Sequence, residues 1–250
     1  MECYTEFAYL YDTFMEDVPY DKWADLLSCL IKAYGENTRT VLDLGCGTGT
    51  LTLKLSDMGY DVMGVDNSQD MLSVADSKAF ESGKEILFIN QDMRTLDLVE
   101  KQDCIVSICD CINYLLLDED VLDTFGCVKN CLDNNGLFIF DFNTVYKYET
   151  VIGDTTIAEN REDCSFIWEN FYSVDDHINE YDVTFFKRVS DEGNGLFERF
   201  EETHIQRGYT LEEMKLFVLK SGLRFITAID EETRKEPTEE SERIYIVCRK

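Results

Sequence analysis

The sequence predicts an α/β protein: a seven-stranded, mostly parallel sheet with helices on both faces, preceded by a helical cap and interrupted after its fifth strand by an antiparallel β insertion. Three observations predict it. The stretch Arg39 to Leu53, RTVLDLGCGTGTLTL, runs from a buried strand (Val41, Leu42, Leu44) through Gly45, Gly47 and Gly49 directly into a helical pattern. From there to Asn143, short apolar runs alternate with helix-patterned segments, the mark of successive βαβ units. Beyond Asn143 the spacing changes to strict alternation, as in Ser165-Phe166-Ile167-Trp168-Glu169, which belongs to strands with one buried face.

Taken in order, residues 4 to 35 read as two helices. Tyr4, Phe7, Ala8, Tyr11 and Phe14 or Met15 follow helical spacing, Asp17-Val18-Pro19 breaks the run, and Tyr20 to Tyr34 resumes it with Trp23, Leu26, Leu27, Leu30 and Ile31 on one side. The strand at Val41 then enters the glycine loop. Glycine lets backbone approach a ligand without a side chain in the way, and the free N–H groups opening the next helix favour negative charge. A dinucleotide fingerprint, G-x-G-x-x-G, would need its third glycine at position 50, which is Thr50; here it comes one residue early, at Gly49.

The second strand, Asp61 to Val65, ends in Asp66, about twenty residues beyond the loop, where two carboxylate oxygens match the paired hydroxyls of a ribose. Asn67 follows, Ser68 is the expected N-cap of a helix, and Met71 faces inward beside the expected base. A third strand, Ile86 to Ile89, leads into Asp92 and Met93. The fourth, Cys104 to Cys109, is continuously apolar, as suits a central parallel strand, and ends in Asp110-Cys111-Ile112-Asn113-Tyr114. Ligands cross the carboxyl ends of strands in such sheets, so Asp110, Asn113 and Tyr114 are candidates for orienting a substrate. A helix from Asp118 to Leu132, a turn at Asn134-Asn135-Gly136 and a fifth strand, Leu137 to Phe140, complete this part. Three or four antiparallel strands are expected between about Thr155 and Gln206, with turns at Asp175-Asp176 and at 191–195. His204, near the end of the insertion, is a candidate base or substrate contact. A capped helix follows from Thr210, then strands at Arg224 to Ile229 and Ile244 to Cys248.

The run Asp43-x-Gly45-Cys46-Gly47-x-Gly49 resembles the first motif of the class I S-adenosylmethionine-dependent methyltransferases. The phrase Y-T-E-F-A-Y-L-Y-D-x-F-M-x-D-V-P-Y-x-x-W resembles the N-terminal cap of a subgroup that includes glycine N-methyltransferase and the sugar N,N-dimethyltransferases. The resemblance implies a Rossmann-like fold whose last strand runs antiparallel between the fifth and sixth, and S-adenosyl-L-methionine as cofactor. It also implies that Tyr11 and Trp23 close over the methionyl part, that Asp43, Gly45, Cys46 and Gly47 form the first motif, and that Asp92 and Met93 meet the adenine; Cys109 is expected to touch the cofactor through its backbone. The expected division is a cap over 1–36, a cofactor domain over 37–143 and 208–250, and a substrate lid over 144–207. Methyl transfer to a small-molecule acceptor, an amine by the subgroup, is the function implied, with Asp110, Tyr114 and His204 as candidates to take its proton. Alternatives are a cofactor-binding regulator acting through a protein partner, chemistry on the cofactor itself, and a dehydrogenase.

Bulk properties narrow the partners. Twenty-three basic against 51 acidic side chains give a formal charge of −28, a field that disfavours nucleic acid and either suits a cationic substrate or basic partner or serves solubility alone. No apolar run has the length of a membrane span, and a cytoplasmic location is expected. The ten cysteines are scattered without paired zinc-ligand spacing, so neither a metal site nor a disulfide framework is expected.

Overall fold

Side-chain alternation along the strand Leu132–Asn143 (β5) creates the two sides of the molecule: Leu137 and Ile139 are buried on one face, Phe138, Phe140 and Phe142 on the other. The computed structural model describes residues 11, 12, 15, 18–190 and 195–250. Around β5 lie Thr40–Leu44 (β1), Asp61–Asp66 (β2), Leu87–Asn90 (β3), Gln102–Ser107 (β4), Arg224–Asp230 (β10) and Arg243–Arg249 (β11). They form a seven-stranded sheet in the order β10-β11-β5-β4-β1-β2-β3, with β11 antiparallel to both neighbours.

Both faces are covered, which is why the central strands are apolar throughout. The helices Tyr20–Tyr34 (α1) and Thr50–Asp57 (α2) bury Leu27, Ile31, Leu51 and Leu55 against Val41, Val106, Ile139 and Val247. On the opposite face, Asp118–Cys131 (α4) and Leu211–Lys220 (α5) bury Val121, Phe125, Met214 and Phe217 against Leu42, Ile105, Phe140 and Ile246. Gln69–Glu81 (α3) follows β2, and Ser68 caps it as expected, accepting the Met71 N–H at 3.3 Å. Thr210 and Glu213 form a reciprocal capping box on α5.

One local expectation is corrected. The turn signal at Asn134-Asn135-Gly136 does not separate helix from strand: pairing with β4 begins at Leu132 and resumes at Leu137, and the residues between bulge outward with Asn135 at φ 64°. Exposed Asp133, Asn134 and Asn135 use their turn propensity inside the strand.

The insertion is a four-stranded antiparallel sheet of Thr156–Asn160 (β6), Cys164–Ser173 (β7), Ile178–Ser190 (β8) and Leu196–Arg207 (β9), in that order. Cross-strand register puts Phe166, Phe185 and Phe200 in one row of its inner face, Trp168, Val183 and Glu202 in the next, and Asn170, Tyr181 and His204 in the third. Part of that face packs on Met71 and Val74 of α3 and on Tyr11, so it roofs the side of the main sheet that carries the glycine loop. Of the first helix expected from the sequence, only Tyr11, Asp12 and Met15 are described, the first two helical; the rest of it lies outside the described residues, as does the turn at 191–194.

Candidate active site

The glycine loop is built by backbone constraint. Gly45, Gly47 and Gly49 all have positive φ (82°, 53° and 74°), which side-chain-bearing residues rarely adopt. A Cβ on Gly45 would stand 2.5 Å from Cys111 Sγ, and one on Gly49 would stand 3.0 Å from Ala75 Cβ. At Gly47 nothing lies within 4 Å, so the loop has one open side. Asp66 closes the loop against α3: its Oδ2 accepts the Gly47 N–H and its Oδ1 the Ser68 N–H, each at 2.8 Å. Burial pushes the Asp66 carboxyl up, opposed by those N–H donors. An ionised carboxylate has acceptor positions beyond these two bonds, so a diol at the open side of Gly47 meets its chemical complement. Asn67 is exposed beside it, and Met71 is buried on the first turn of α3.

Asp43 lies beneath the loop, 2% exposed, with Thr52 Oγ1 donating to its Oδ2 at 2.6 Å. Burial raises this carboxyl to about 7. Its contact is therefore with α2, and the structure exposes no carboxylate face of it to a ligand. Cys46 is also buried, its thiol raised by burial. Asp92 is held by Arg94, whose Nη2 donates to its Oδ2 at 2.5 Å and whose guanidinium hydrogen bonds keep the carboxyl below its ordinary range. Met93 packs beside Gly45, its Cε 3.8 Å from where a Cβ there would stand.

The cap is pinned across the loop by Asp12, which accepts Thr48 Oγ1 at 2.6 Å and Lys78 Nζ at 2.7 Å. Tyr11 reaches the side chains of Tyr20 and Cys109. Trp23, which the resemblance places over the cofactor, is engaged with the last strands of the sheet. Its indole N–H donates to Glu231 Oε1 at 2.6 Å, and its ring backs the Arg243 guanidinium at 5.5 Å. Trp23 sits on the inward, core-facing side of α1, whereas Tyr20, at the helix start, is the aromatic that meets Tyr11. A cleft of about 470 Å³ between the cap and α2 is lined by Asp12, Tyr20, Leu53, Lys54 and Lys78, and neither Asp66 nor Cys109 is part of its lining.

At the carboxyl end of β4, Cys109 and Asp110 both take positive φ (66° and 54°), and Asp141 of β5 accepts their N–H groups at 3.1 and 3.0 Å. Such consecutive strained residues occur where the surroundings over-determine them. Arg243 does so here, donating at 2.7 Å to Asp141 Oδ2 and at 2.7 Å to Asp110 Oδ1. The other Asp110 oxygen accepts Gln206 Nε2 at 2.8 Å. Burial pushes Asp110 up, but Arg243 and Lys147 outweigh it and hold the carboxyl below its ordinary value. Asp110 is thus a committed anion, ill-suited to accept a proton. Asn113, fully buried, donates to the carbonyls of Asn143 and Arg207 and accepts the Asn143 N–H, so its amide stitches β5 to the end of β9.

Tyr114 and His204, 90 residues apart, do meet: Tyr114 Oη lies 3.0 Å from His204 Nδ1. Tyr181 Oη is 3.1 Å from Tyr114 Oη, and the Tyr181 ring stacks on the imidazole at 4.9 Å. Glu202 Oε2 lies 3.2 Å from His204 Nε2. Sequence reasoning missed Glu202, Tyr181, Gln206 and Arg243. The alternating pattern of β9 did place Glu202, His204 and Gln206 on one face, a signal that could have found two of them.

Sheet order, glycine loop and the carboxylate ending β2 define a Rossmann-like nucleotide-binding protein. Residues 41–136 match the family described as a methyltransferase domain. A provisionally named methyltransferase of Geobacillus sp. (strain WCH70) is 35% identical over 248 residues, spanning 99% of each chain. An S-adenosylmethionine-dependent methyltransferase from Clostridium acetobutylicum ATCC 824 has a structure similar at TM-score 0.88 and 31% identity, over 99% of this chain and 98% of its own. The sugar N-methyltransferase KedS8 from Streptoalloteichus sp. ATCC 53650 shares the fold at TM-score 0.76 and 15% identity, over 95% and 92%. The chain belongs to the class I S-adenosylmethionine-dependent methyltransferases, and S-adenosyl-L-methionine is its cofactor.

Proposed function

We propose that this methyltransferase acts on a small-molecule amine held between the glycine loop and the inner face of the insertion sheet, with residues 144–207 serving as the substrate lid over a cofactor domain of 37–143 and 208–250. One observation carries this reading: β9 delivers Gln206 to Asp110 and His204 to Tyr114, seating polar groups of the roof on the carboxyl end of β4. The fold likeness to a sugar N-methyltransferase supports an amine over other acceptors.

On this reading the backbone at Gly45, Cys46 and Gly47 and the Asp66 carboxylate hold the adenosyl part, with Asn67, Met71, Asp92 and Met93 around the base. Tyr11 and the Cys109 backbone border the methionyl end, and Asp43 acts from below by fixing α2. S-adenosyl-L-methionine supplies an electrophilic methyl group on a sulfonium. The protein's work is to hold the acceptor in line with it, at near-attack distance and away from water. Roof aromatics exclude water, and the Asp110–Arg243–Gln206 group fixes the floor.

Calorimetric titration with S-adenosyl-L-methionine, S-adenosyl-L-homocysteine and NADH, followed by a screen of primary and secondary amines read by S-adenosyl-L-homocysteine release, tests the proposal. Binding of the two adenosyl compounds and turnover of an amine are expected. Turnover confined to hydroxyl or carboxyl acceptors would overturn the amine assignment.

A further inference from the structure

We infer that Lys147 binds an anionic oxygen group of the acceptor, a carboxylate or a phosphate, so that the acceptor carries such a group beside the amine that is methylated. The inference rests on the amine reading above and deepens it: it says which second chemical group the acceptor has and which residue selects it.

Lys147 opens the short helical segment Lys147–Ile152, just past the end of β5. A run of hydrogen bonds links it to the floor of the site. Its Nζ donates to Asn143 Oδ1 at 3.0 Å, and Asn143 Nδ2 donates to Tyr148 Oη at 3.1 Å. Tyr148 Oη donates to Gln206 Oε1 at 2.7 Å, and Gln206 Nε2 donates to Asp110 Oδ2 at 2.8 Å. The two ends fix every direction between them. An ammonium group only donates and a carboxylate only accepts, so one orientation of each amide satisfies the chain.

The other charges around this chain are committed. Arg243 takes Asp110 Oδ1 and Asp141 Oδ2, each at 2.7 Å, and Glu231 accepts from the Trp23 indole. Lys147 is the exception. Its ammonium has three N–H groups, of which Asn143 takes one, and among the described residues it forms no ion pair. Burial draws its pKa down and Arg243 adds to this, while Asp110, Glu242 and Glu231 act in the opposite sense without pairing with it.

A second cation beside Arg243 is costly to keep, because it repels the first and leaves donors without an anion. An anionic oxygen group at the remaining N–H groups offsets both costs through charge-assisted hydrogen bonds. Lys147 is half-buried, so a ligand can reach it, and the floor it adjoins lies under the proposed acceptor. Lysine acts as a point charge, so carboxylate and phosphate share this chemistry. The formal charge of −28 repels a free anion at long range but is nearly indifferent to a molecule that holds an ammonium and one negative charge together.

Lysine side-chain nitrogen NMR of the full chain, saturated with S-adenosyl-L-homocysteine, tests this without a known acceptor. The Lys147 signal is the one lost in Lys147→Met or, should that variant not fold, in Lys147→Arg. Acetate, inorganic phosphate and chloride are titrated in turn at matched ionic strength. A saturable shift of that signal with acetate or with phosphate, absent with chloride, is expected, and the ion that produces it names the group. The same shift with chloride, or no shift beyond the one caused by S-adenosyl-L-homocysteine and its own carboxylate, overturns the inference. With an amine from the screen, the parent should prefer a substrate bearing the anionic group over its uncharged amide counterpart. Lys147→Met should reduce that preference in kcat/KM by about tenfold to a hundredfold, the worth of a hydrogen bond between charged groups. Lys147→Arg, which keeps the charge, should restore part of it. An equal loss for both substrates marks a structural role and likewise overturns the inference. If no amine is turned over, the amine reading fails while the ion titration still decides the role of Lys147.

Discussion

The two halves of the site are built in different ways. Around the cofactor, the deciding residues lie within about 25 positions of one another, from Asp43 to Asp66, and act through backbone: three positive-φ glycines, and a carboxylate bonded to two main-chain N–H groups. Around the proposed acceptor site, they come from a turn after β4, from β8 and from β9, and meet through side-chain tips. Local backbone geometry tolerates few substitutions, whereas a face of alternating side chains can be re-lettered strand by strand. One half is thus suited to a shared cofactor and the other to a changing acceptor.

Changes that separate or join the halves sharpen this contrast. Arg243→Met should have the largest effect, because it leaves Asp110 and Asp141 buried without their shared cation; breaking such a group costs about 3–5 kcal/mol. The expected fall in Tm is roughly 6–20 °C, with both cofactor binding and turnover impaired. A variant of unchanged Tm would mean the halves do not depend on this joint.

Asp43→Asn comes next and acts on the cofactor half alone. The folded Asp43 carboxyl, at about 7, lies above its ordinary value, so its contribution to stability is present below about pH 4 and is lost as pH rises through 7. Asparagine carries no such loss and can still accept from Thr52. The ligand-free variant should therefore gain on the parent with rising pH, by up to about 4 kcal/mol at pH 8. Thermal melts at pH 5 and pH 8 check this; a constant difference between the proteins would contradict it.

Asp66→Ala should weaken S-adenosyl-L-methionine binding by about 1.5–3 kcal/mol, or tenfold and more. Equal calorimetric affinities would remove Asp66 from the site. The smallest effect belongs to Asp12→Ala. Its ion pair with Lys78 is partly exposed and screened, so a change in stability of about 0.2–1 kcal/mol is expected, with a modest rise in the cofactor Kd and none in the acceptor KM.

The same division explains what the sequence discloses. Glycines at Gly45, Gly47 and Gly49, Asp66 about twenty residues on and Ser68 as a cap are legible because their meaning depends on near neighbours. The sheet order follows from alternating elements together with the family resemblance. Helical periodicity names Trp23 as part of the buried face of α1 without saying what it buries against; here that is Arg243. Asp110 and Asn113 sat where substrate-orienting residues are expected, but their partners Arg243, Gln206 and Asn143 come from other strands. Glu202 gains meaning only through its contact with His204, which meets Tyr114 across a span that spacing rules do not reach. The outward bulge at Asn135 shows the converse: a sound turn signal absorbed within a strand.

The antiparallel strand β11 also bears on how the molecule assembles. It is synthesised after every other strand of the main sheet, yet it lies between β5 and β10, so β10 has no place in the sheet until β11 arrives. Arg243 opens that strand. The cation that neutralises Asp110 and Asp141 therefore enters in the same event that closes the sheet, and a partly folded chain has neither a complete hydrophobic layer nor a compensated floor to its site. Completion of the sheet and neutralisation of the site floor therefore depend on the same strand.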